Sequence, residues 1–562
     1  MFTSRKNLLL VLAAAGIAVK IAELWWWSVT PFRFYNGVPG LDMATLLRFG
    51  EWGGGPYGFF FTPHRALVAL FWKLNGEKHF VPGIVAVQAL VSVGGAALSA
   101  DLALKFFRRR WIAAAVGVLY LSYGPFFIYE FSVLQEIVAL NLILLGFYAA
   151  VAARSRRGML FAGFALGLCV IGRPSGFLFA PAMILWLLRR RGFTEKNGAA
   201  VAAGAAAALL PASLLNRIFG GNWSCFFNVL PYSLEFNTAN APAAGNPYAT
   251  MLVNAVTRVP RLFSVLELPE NLNYYFLADR IPLLRFLPSP LLLVPVGCAG
   301  LVLLVRHWKK PAAGVLIPVL TLALPLCVRD PIGRYRLTLI PYFILGAGAW
   351  LRYLLQRPMR RHLLVAGGVL GVFAVLAVLA PKPYHRASDY LTHALALEAE
   401  SGGLTTAESL DCLLDGWRKS GFRSNPLGVN LALRLLESGN LDSAMSVLHT
   451  GIANSPQPDV YRYYLAVMKA DRGDFSAAEA LLEECDPGKL GFLAGKYHYL
   501  LGEMFRRRGE FANAEREYRL ALKLADAKFA LRVREALNAL SAGGGSRNGG
   551  TGGAAPQAPD AK

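Results

Sequence analysis

Apolar stretches recur along the first 380 residues and then stop. Runs near 8–24, 81–104, 111–129, 133–153, 159–172, 175–188, 198–215, 287–305, 312–328, 337–353 and 362–380 approach or reach the length a helix needs to cross a bilayer, about 20 residues. The pattern predicts about eleven spans. The stretch 159–188 is basic at both ends, so it reads as a short hairpin turning at "GRPSG" (172–176) and not as one long helix. The first run starts with basic residues, has no small-residue cleavage site and ends in "AELWWWS". That marks an anchor, not a cleaved signal, with Trp25, Trp26 and Trp27 as an interface belt.

After Lys382 the pattern turns charged and helix-forming. "SGNLDSA" (438–444), "RGDFSAA" (472–478) and "RGEFANA" (508–514) share a Gly-x-Φ-x-x-Ala core, with Gly439, Gly473 and Gly509 spaced by 34 and then 36 residues. That is the tetratricopeptide period, in which a turn glycine precedes the second helix of each pair and a small alanine lets the two pack closely. "ESGGLTTA" (400–407) is a degenerate earlier copy. The Gly-rich tail from Ser541 has too few apolar residues to fold and reads as disordered.

The expected architecture is therefore all-α. A polytopic helical membrane domain occupies 1–380, a soluble α-solenoid 385–540, and a tail 541–562. Composition agrees: 55% of the residues are hydrophobic and only 16% charged, with a positive mean hydropathy, too oily for an ordinary soluble domain. The net charge of +22 sits in short clusters between spans, at Arg5 and Lys6, 105–110, 154–157, 189–191, 306–310 and 357–361. Clusters of this kind hold loops on the cytoplasmic side and do not form the single stripe that a nucleic acid needs. The N-terminus is then cytoplasmic, and an odd number of spans leaves the C-terminal repeats outside. The six cysteines show no paired spacing, so neither a disulfide framework nor a zinc site is indicated.

This topology turns the large loops 25–80 and 216–286 and the short loop 328–337 outward, and they carry most of the polar chemistry. The first loop holds Asp42, Glu51, His64 and Arg65, the aromatic stretch "GPYGFFFTP" (55–63), a candidate sugar- or prenyl-contacting surface, and "PHRALVALFWKLNG", which reads as a helix lying in the interface. His64 and Arg65 there are expected to meet lipid headgroups. Glu136 lies near the outer end of the fourth span, where a carboxylate is costly and so points to function. Glu267, Glu270, Asp279 and Arg280 in the second loop are expected on a solvated face. Arg334 and Arg336 open the tenth span, and Arg173 sits at the hairpin turn.

Four stretches, in this order along residues 1–380, resemble the GT-C superfamily of polyprenyl-phosphate-dependent glycosyltransferases, in particular the branch of protein O-mannosyltransferases and lipid A aminoarabinose transferases. They are Asp42 in the first outer loop, "VLQE" (133–136), "GFALGLCVIGRPSGFLFAP" (163–181) and "GRYRLTLIPYF" (333–343). The resemblance implies a bacterial cytoplasmic (inner) membrane enzyme that moves a sugar from a polyprenyl-phosphate donor to a protein, lipid or glycan acceptor at the extracytoplasmic face. Asp42 would be the base of an inverting displacement, Arg334, Arg336 and Arg173 would bind the donor phosphate, and Glu51, His64, Arg65 and Glu136 would support them. Many relatives carry Asp-Glu at the first motif; here Met43 follows Asp42 and the next acid is Glu51, a pattern that speaks against a divalent metal bridging two carboxylates. The repeats would recruit an acceptor or an envelope protein. Two other readings stay open: an inactive scaffold acting through its repeats, and an O-antigen ligase or polymerase, whose key residues sit in a large late outer loop.

Overall fold

A computed structural model describes residues 4–29, 62–76, 80–173, 175–192, 194–220, 273–305, 314–329, 333–356, 385–525 and 527–543, with isolated positions between 253 and 267 and between 364 and 375. Asp42, Glu51 and Glu270 lie outside the described residues, as does more than half of the last predicted span. The described residues are helical, without strands. Two compact units divide the chain, residues 1–384 and 385–562.

The first unit holds α1 (Arg5–Val29), α2 (Pro63–Asn75), α3 (Phe80–Phe107), α4 (Arg110–Leu121), α5 (Gly124–Glu130), α6 (Glu136–Ala152), α7 (Arg156–Gly172), α8 (Gly176–Arg191) and α9 (Glu195–Gly220). It continues with α10 (Tyr274–Arg280), α11 (Pro282–Phe286), α12 (Pro290–Val305), α13 (Leu316–Arg329), α14 (Gly333–Arg336) and α15 (Ile340–Gln356). Among the described residues, five helices are long and apolar enough to cross a membrane, or six if the bent pair α4–α5 counts as one span. Other predicted spans that the structure describes are helical but shorter; α6 has 17 residues and α13 has 14.

The run 111–129, expected as one span, is bent by 50° between α4 and α5. Pro125 lies in the first turn of α5, where its missing N–H is harmless to a new helix but would break a continuous one. The predicted turn at 172–176 is present: Arg173 is extended and its carbonyl accepts from Gly176 N at 2.9 Å. Small residues let helices meet backbone to backbone, as expected where lipid supplies no hydrophobic drive between helices. A methyl group on Gly300 of α12 would land on the Gly346 carbonyl of α15.

One end of the bundle gathers the basic loops. Arg5 makes two hydrogen bonds to Asp101, at 2.6 and 2.7 Å, and Lys105 and Tyr148 meet the same carboxylate. Arg352 donates to the Phe106 carbonyl at 3.1 Å and Arg190 to that of Val151 at 3.3 Å. The ends of α3, α6, α8 and α15 and the start of α1 thus lie together, which places the starts of α6 and α8 and the end of α5 at the opposite end.

The second unit is a series of helical hairpins: α16 (Ala387–Glu400) with α17 (Ala407–Lys419), α18 (Asn425–Glu437) with α19 (Leu441–Asn454), α20 (Pro458–Asp471) with α21 (Phe475–Glu483), and α22 (Ala494–Arg507) with α23 (Phe511–Leu524), closed by α24 (Ala527–Gly543). Gly439, Gly473 and Gly509 turn the last three hairpins at φ near 79°, 80° and 78°, a conformation that costs other residues about 1 kcal/mol or more. Ala444, Ala478 and Ala514 are fully buried, one in each second helix. The buried Tyr461 locks consecutive hairpins, accepting from Trp417 Nε1 at 3.2 Å and donating to the Ser424 carbonyl at 3.0 Å. A methyl group on Gly451 would strike the Tyr461 ring, so Gly451→Ala is expected to cost about 1–3 kcal/mol, read as a lowered midpoint in denaturant melts of the full chain. An unchanged midpoint would mean that the ring moves aside freely.

Candidate functional site

At the end of the bundle away from the basic loops, α6 begins with Glu136, a carboxylate in the first turn, where the helix dipole favours negative charge. Its side chain is buried, and Oε2 has no hydrogen-bond partner among the described residues. The nearest cation is Arg334, whose Nε lies 3.9 Å from Glu136 Oε1. Arg334 sits in the short helix α14, which runs through a 3₁₀ turn (Leu337–Leu339) into α15. Its Nη2 donates to the neighbouring Tyr335 hydroxyl at 2.7 Å.

Tyr335 draws in a second guanidinium. Arg334 stands 4.7 Å from the Tyr335 ring centroid and Arg173 4.9 Å from it, both within cation–π range. Arg173 reaches that ring from the end of α7 and is itself buried. Arg173 and Arg334, separated by a long stretch of sequence, therefore converge at one aromatic ring, with Glu136 beside Arg334. The group sets two positive charges against one negative.

Arg336 does something else. Expected at the phosphate, it is fully buried and donates to the carbonyls of Ser264 at 2.6 Å and Leu266 at 2.9 Å, and to Glu267 Oε2 at 2.9 Å. The start of the predicted tenth span lies against Ser264, Leu266 and Glu267, and two of the three guanidinium nitrogens of Arg336 are already taken by these acceptors. Glu267, expected on a solvated face, is buried too; burial pushes its carboxyl upward and Arg336 opposes the shift. Asp279 does face solvent, where it meets Arg285 at 3.3 Å.

His64 also departs from expectation. It points into the protein instead of meeting headgroups, is only 6% exposed, and burial, then Arg65, holds its pKa down at about 4. The backbone N–H of Arg65 donates to Thr62 Oγ1 at 3.1 Å, which starts α2. An unfolded histidine takes its proton near pH 6.5, so between pH 6.5 and 4 the unfolded chain binds the extra proton. Stability is then full above pH 6.5 and falls as pH drops toward 4, by up to about 1.4 kcal/mol per pH unit. His64→Phe is expected to flatten that part of the pH profile of thermal stability in detergent, and an unchanged profile would assign it to other groups.

Sequence reading missed the group that holds the turn before Glu136. Lys20 and Glu23 of α1 and Glu130 of α5 form a triad in which Lys20 and Glu130 are buried, with Lys20 Nζ 2.8 Å from Glu23 and 2.6 Å from Glu130. Gln88 of α3 donates to the backbone carbonyls of Glu130 at 3.1 Å and Ser132 at 2.7 Å. Trp26 packs on Phe127, with ring centroids 5.9 Å apart. The signal was present: a lysine and a glutamate inside the first apolar run demand partners, since a lone charge there costs several kcal/mol, roughly.

Among the described residues no group of three His, Cys, Asp or Glu side chains is placed to hold a metal ion. No protein-family model matches the chain, and no curated protein matches it. Among solved structures, the crystal structure of ArnT from Cupriavidus metallidurans bound to undecaprenyl phosphate is similar, at 16% identity over 84% of this chain and 81% of that one, with a TM-score of 0.39.

Proposed function

We propose that this chain is an integral membrane glycosyltransferase that moves a sugar from a polyprenyl-phosphate donor to a nucleophile on an acceptor at the extracytoplasmic face. One observation carries the reading: Arg173 and Arg334 meet at the Tyr335 ring beside the buried Glu136, at the bundle end away from the basic loops. Two guanidiniums with a single carboxylate suit a phosphate that gains charge as it leaves, and each can offer paired donors to its oxygens.

In this mechanism the acceptor oxygen forms a bond to the anomeric carbon while the bond from that carbon to the phosphate oxygen breaks. The acceptor proton passes to Asp42, and polyprenyl phosphate departs with its negative charge against Arg334 and Arg173. Glu136 is a positioning residue that orients Arg334, and Arg336 holds the segment that flanks it. Attack from the face opposite the phosphate inverts the anomeric configuration. The bacterial inner membrane, the outward repeats and their tetratricopeptide character belong to the same reading.

The test is reconstitution of the full chain in liposomes with a panel of labelled polyprenyl-phosphate sugars and an envelope extract. Transfer above the protein-free level is expected, and Arg334→Gln should raise the donor KM about 10-fold or more. No transfer from any donor would overturn the proposal and favour the scaffold reading, to which Met43 after Asp42 already gives some support.

A further inference from the structure

The bundle end that gathers the basic loops holds a group of arginines without a counter-charge. Arg154 precedes α7, and Arg190 and Arg191 close α8. These helices are the antiparallel arms of the hairpin that turns at 172–176, so the start of one lies at the same end as the finish of the other. Arg190 Nη1 donates to the Val151 carbonyl at 3.3 Å, and its guanidinium stands 5.1 Å from the centroid of the Trp186 ring. The charged side chains that bear on Arg190 are Arg191 and Arg154, both cations. Arg191 Nε is buried and has no hydrogen-bond partner among the described residues.

Other basic residues at this end are answered by the protein. Arg5 and Lys105 share Asp101, and Arg352 rests on the Phe106 carbonyl. By contrast, Arg154, Arg156, Arg157, Arg189, Arg190 and Arg191 have no carboxylate within ion-pair distance among the described residues. Scattered basic residues are enough to keep a loop on one side of a membrane. Three guanidiniums drawn together against their own repulsion require an anion besides.

The surface below the charges says what carries that anion. One helical turn deeper than Arg156, Arg157 and Arg189 stand Leu160, Phe161 and Leu185, which are 46%, 49% and 59% exposed. The Trp186 ring lies between the two layers, held against Gly314, at the level where tryptophan meets the membrane interface. Cations above an apolar wall match a lipid, in which phosphate and acyl chains are stacked in the same order; a soluble phosphate would use the rim alone.

We propose that Arg154, Arg190 and Arg191 bind the headgroup of an anionic phospholipid that carries two phosphates, with its acyl chains along Leu160, Phe161 and Leu185. One phosphate diester neutralises one cation of the three. A second phosphate in the same molecule arrives at high effective concentration, and each phosphate can accept paired guanidinium donors.

The experiment uses the full chain in maltoside micelles and native mass spectrometry to count bound lipid, with cardiolipin and phosphatidylglycerol supplied at equal phosphate concentration. One cardiolipin per chain is expected, bound at least 10-fold more tightly than phosphatidylglycerol and not displaced by inorganic pyrophosphate at the same phosphate concentration. Arg154→Gln with Arg190→Gln and Arg191→Gln should weaken cardiolipin at least 10-fold, with the helical circular dichroism unchanged. The control removes three charges from the same end, Lys6→Gln with Arg108→Gln and Arg109→Gln, and should leave binding within about 2-fold of the parent. Equal retention of the two lipids would overturn the proposal, as would equal loss in both triple variants, which would reduce the effect to net charge. Displacement by pyrophosphate would overturn it too, because the arginines would then hold a soluble phosphate compound.

Discussion

Replacing Arg336 with methionine is expected to cost about 3–5 kcal/mol of stability, enough to leave little folded protein in the membrane at growth temperature. The loss comes from what stays behind. Glu267 would remain buried with no cation, and the carbonyls of Ser264 and Leu266 would lose donors at 2.6 and 2.9 Å. A buried ion pair is weak evidence of net stabilisation, yet removing one partner exposes the full cost of burying the other. The double change Arg336→Met with Glu267→Leu should therefore recover much of the loss, although the two carbonyls would still lack their donors. Arg336→Lys should recover little, because an ammonium cannot span three acceptors as a planar fork does. Thermal unfolding of the four proteins in detergent, followed by intrinsic fluorescence, measures this. If Arg336→Met lowered stability by less than about 1 kcal/mol, water would have to be entering the cluster and satisfying Glu267.

That cluster also marks where sequence reading reached its limit. "GRYR" displayed two arginines at the start of an apolar run, and nothing in their order separates the one that faces the site from the one that faces inward. The distinction arises from packing: α14 presents Arg334 to α6 and Arg336 to a segment some 70 residues earlier in the chain. A partner so distant in sequence leaves no periodic trace. Helices, by contrast, were legible, because apolar runs and the repeated Gly-x-Φ-x-x-Ala core are local signals. The convergence of Glu136 with Arg334 was half legible, since a carboxylate inside an apolar run announces that it has a partner without naming it. Lys20 and Glu23 gave the same signal within one turn of α1, yet their common partner Glu130 could be found only once α5 bent away from α4. The bend itself was written in Pro125.

Asp42→Asn is expected to lower the rate of sugar transfer by about 10²- to 10⁴-fold while leaving the donor KM nearly unchanged. The amide keeps the size and one acceptor oxygen but cannot take a proton at neutral pH, so only the step in which the acceptor hydroxyl loses its proton should suffer. Asp42→Glu should restore part of the rate, because the function survives even if the reach is wrong. Glu136→Gln provides the contrast. If it orients Arg334, whose Nε lies 3.9 Å away, it should act mainly through the donor, raising KM about 10-fold with a smaller fall in turnover. The two profiles separate a base from a positioning residue in a single set of rates. Should Glu136→Gln abolish turnover while Asp42→Asn proves mild, the roles exchange: the buried carboxylate with one unpartnered oxygen becomes the base, and the first loop is left with binding alone. Should neither matter, with transfer still measurable, a leaving phosphate held by Arg173 and Arg334 would be driving the reaction largely without base assistance. The effect of the two arginines on turnover would then have to exceed their effect on binding, because charge on the phosphate oxygen grows only as the bond breaks.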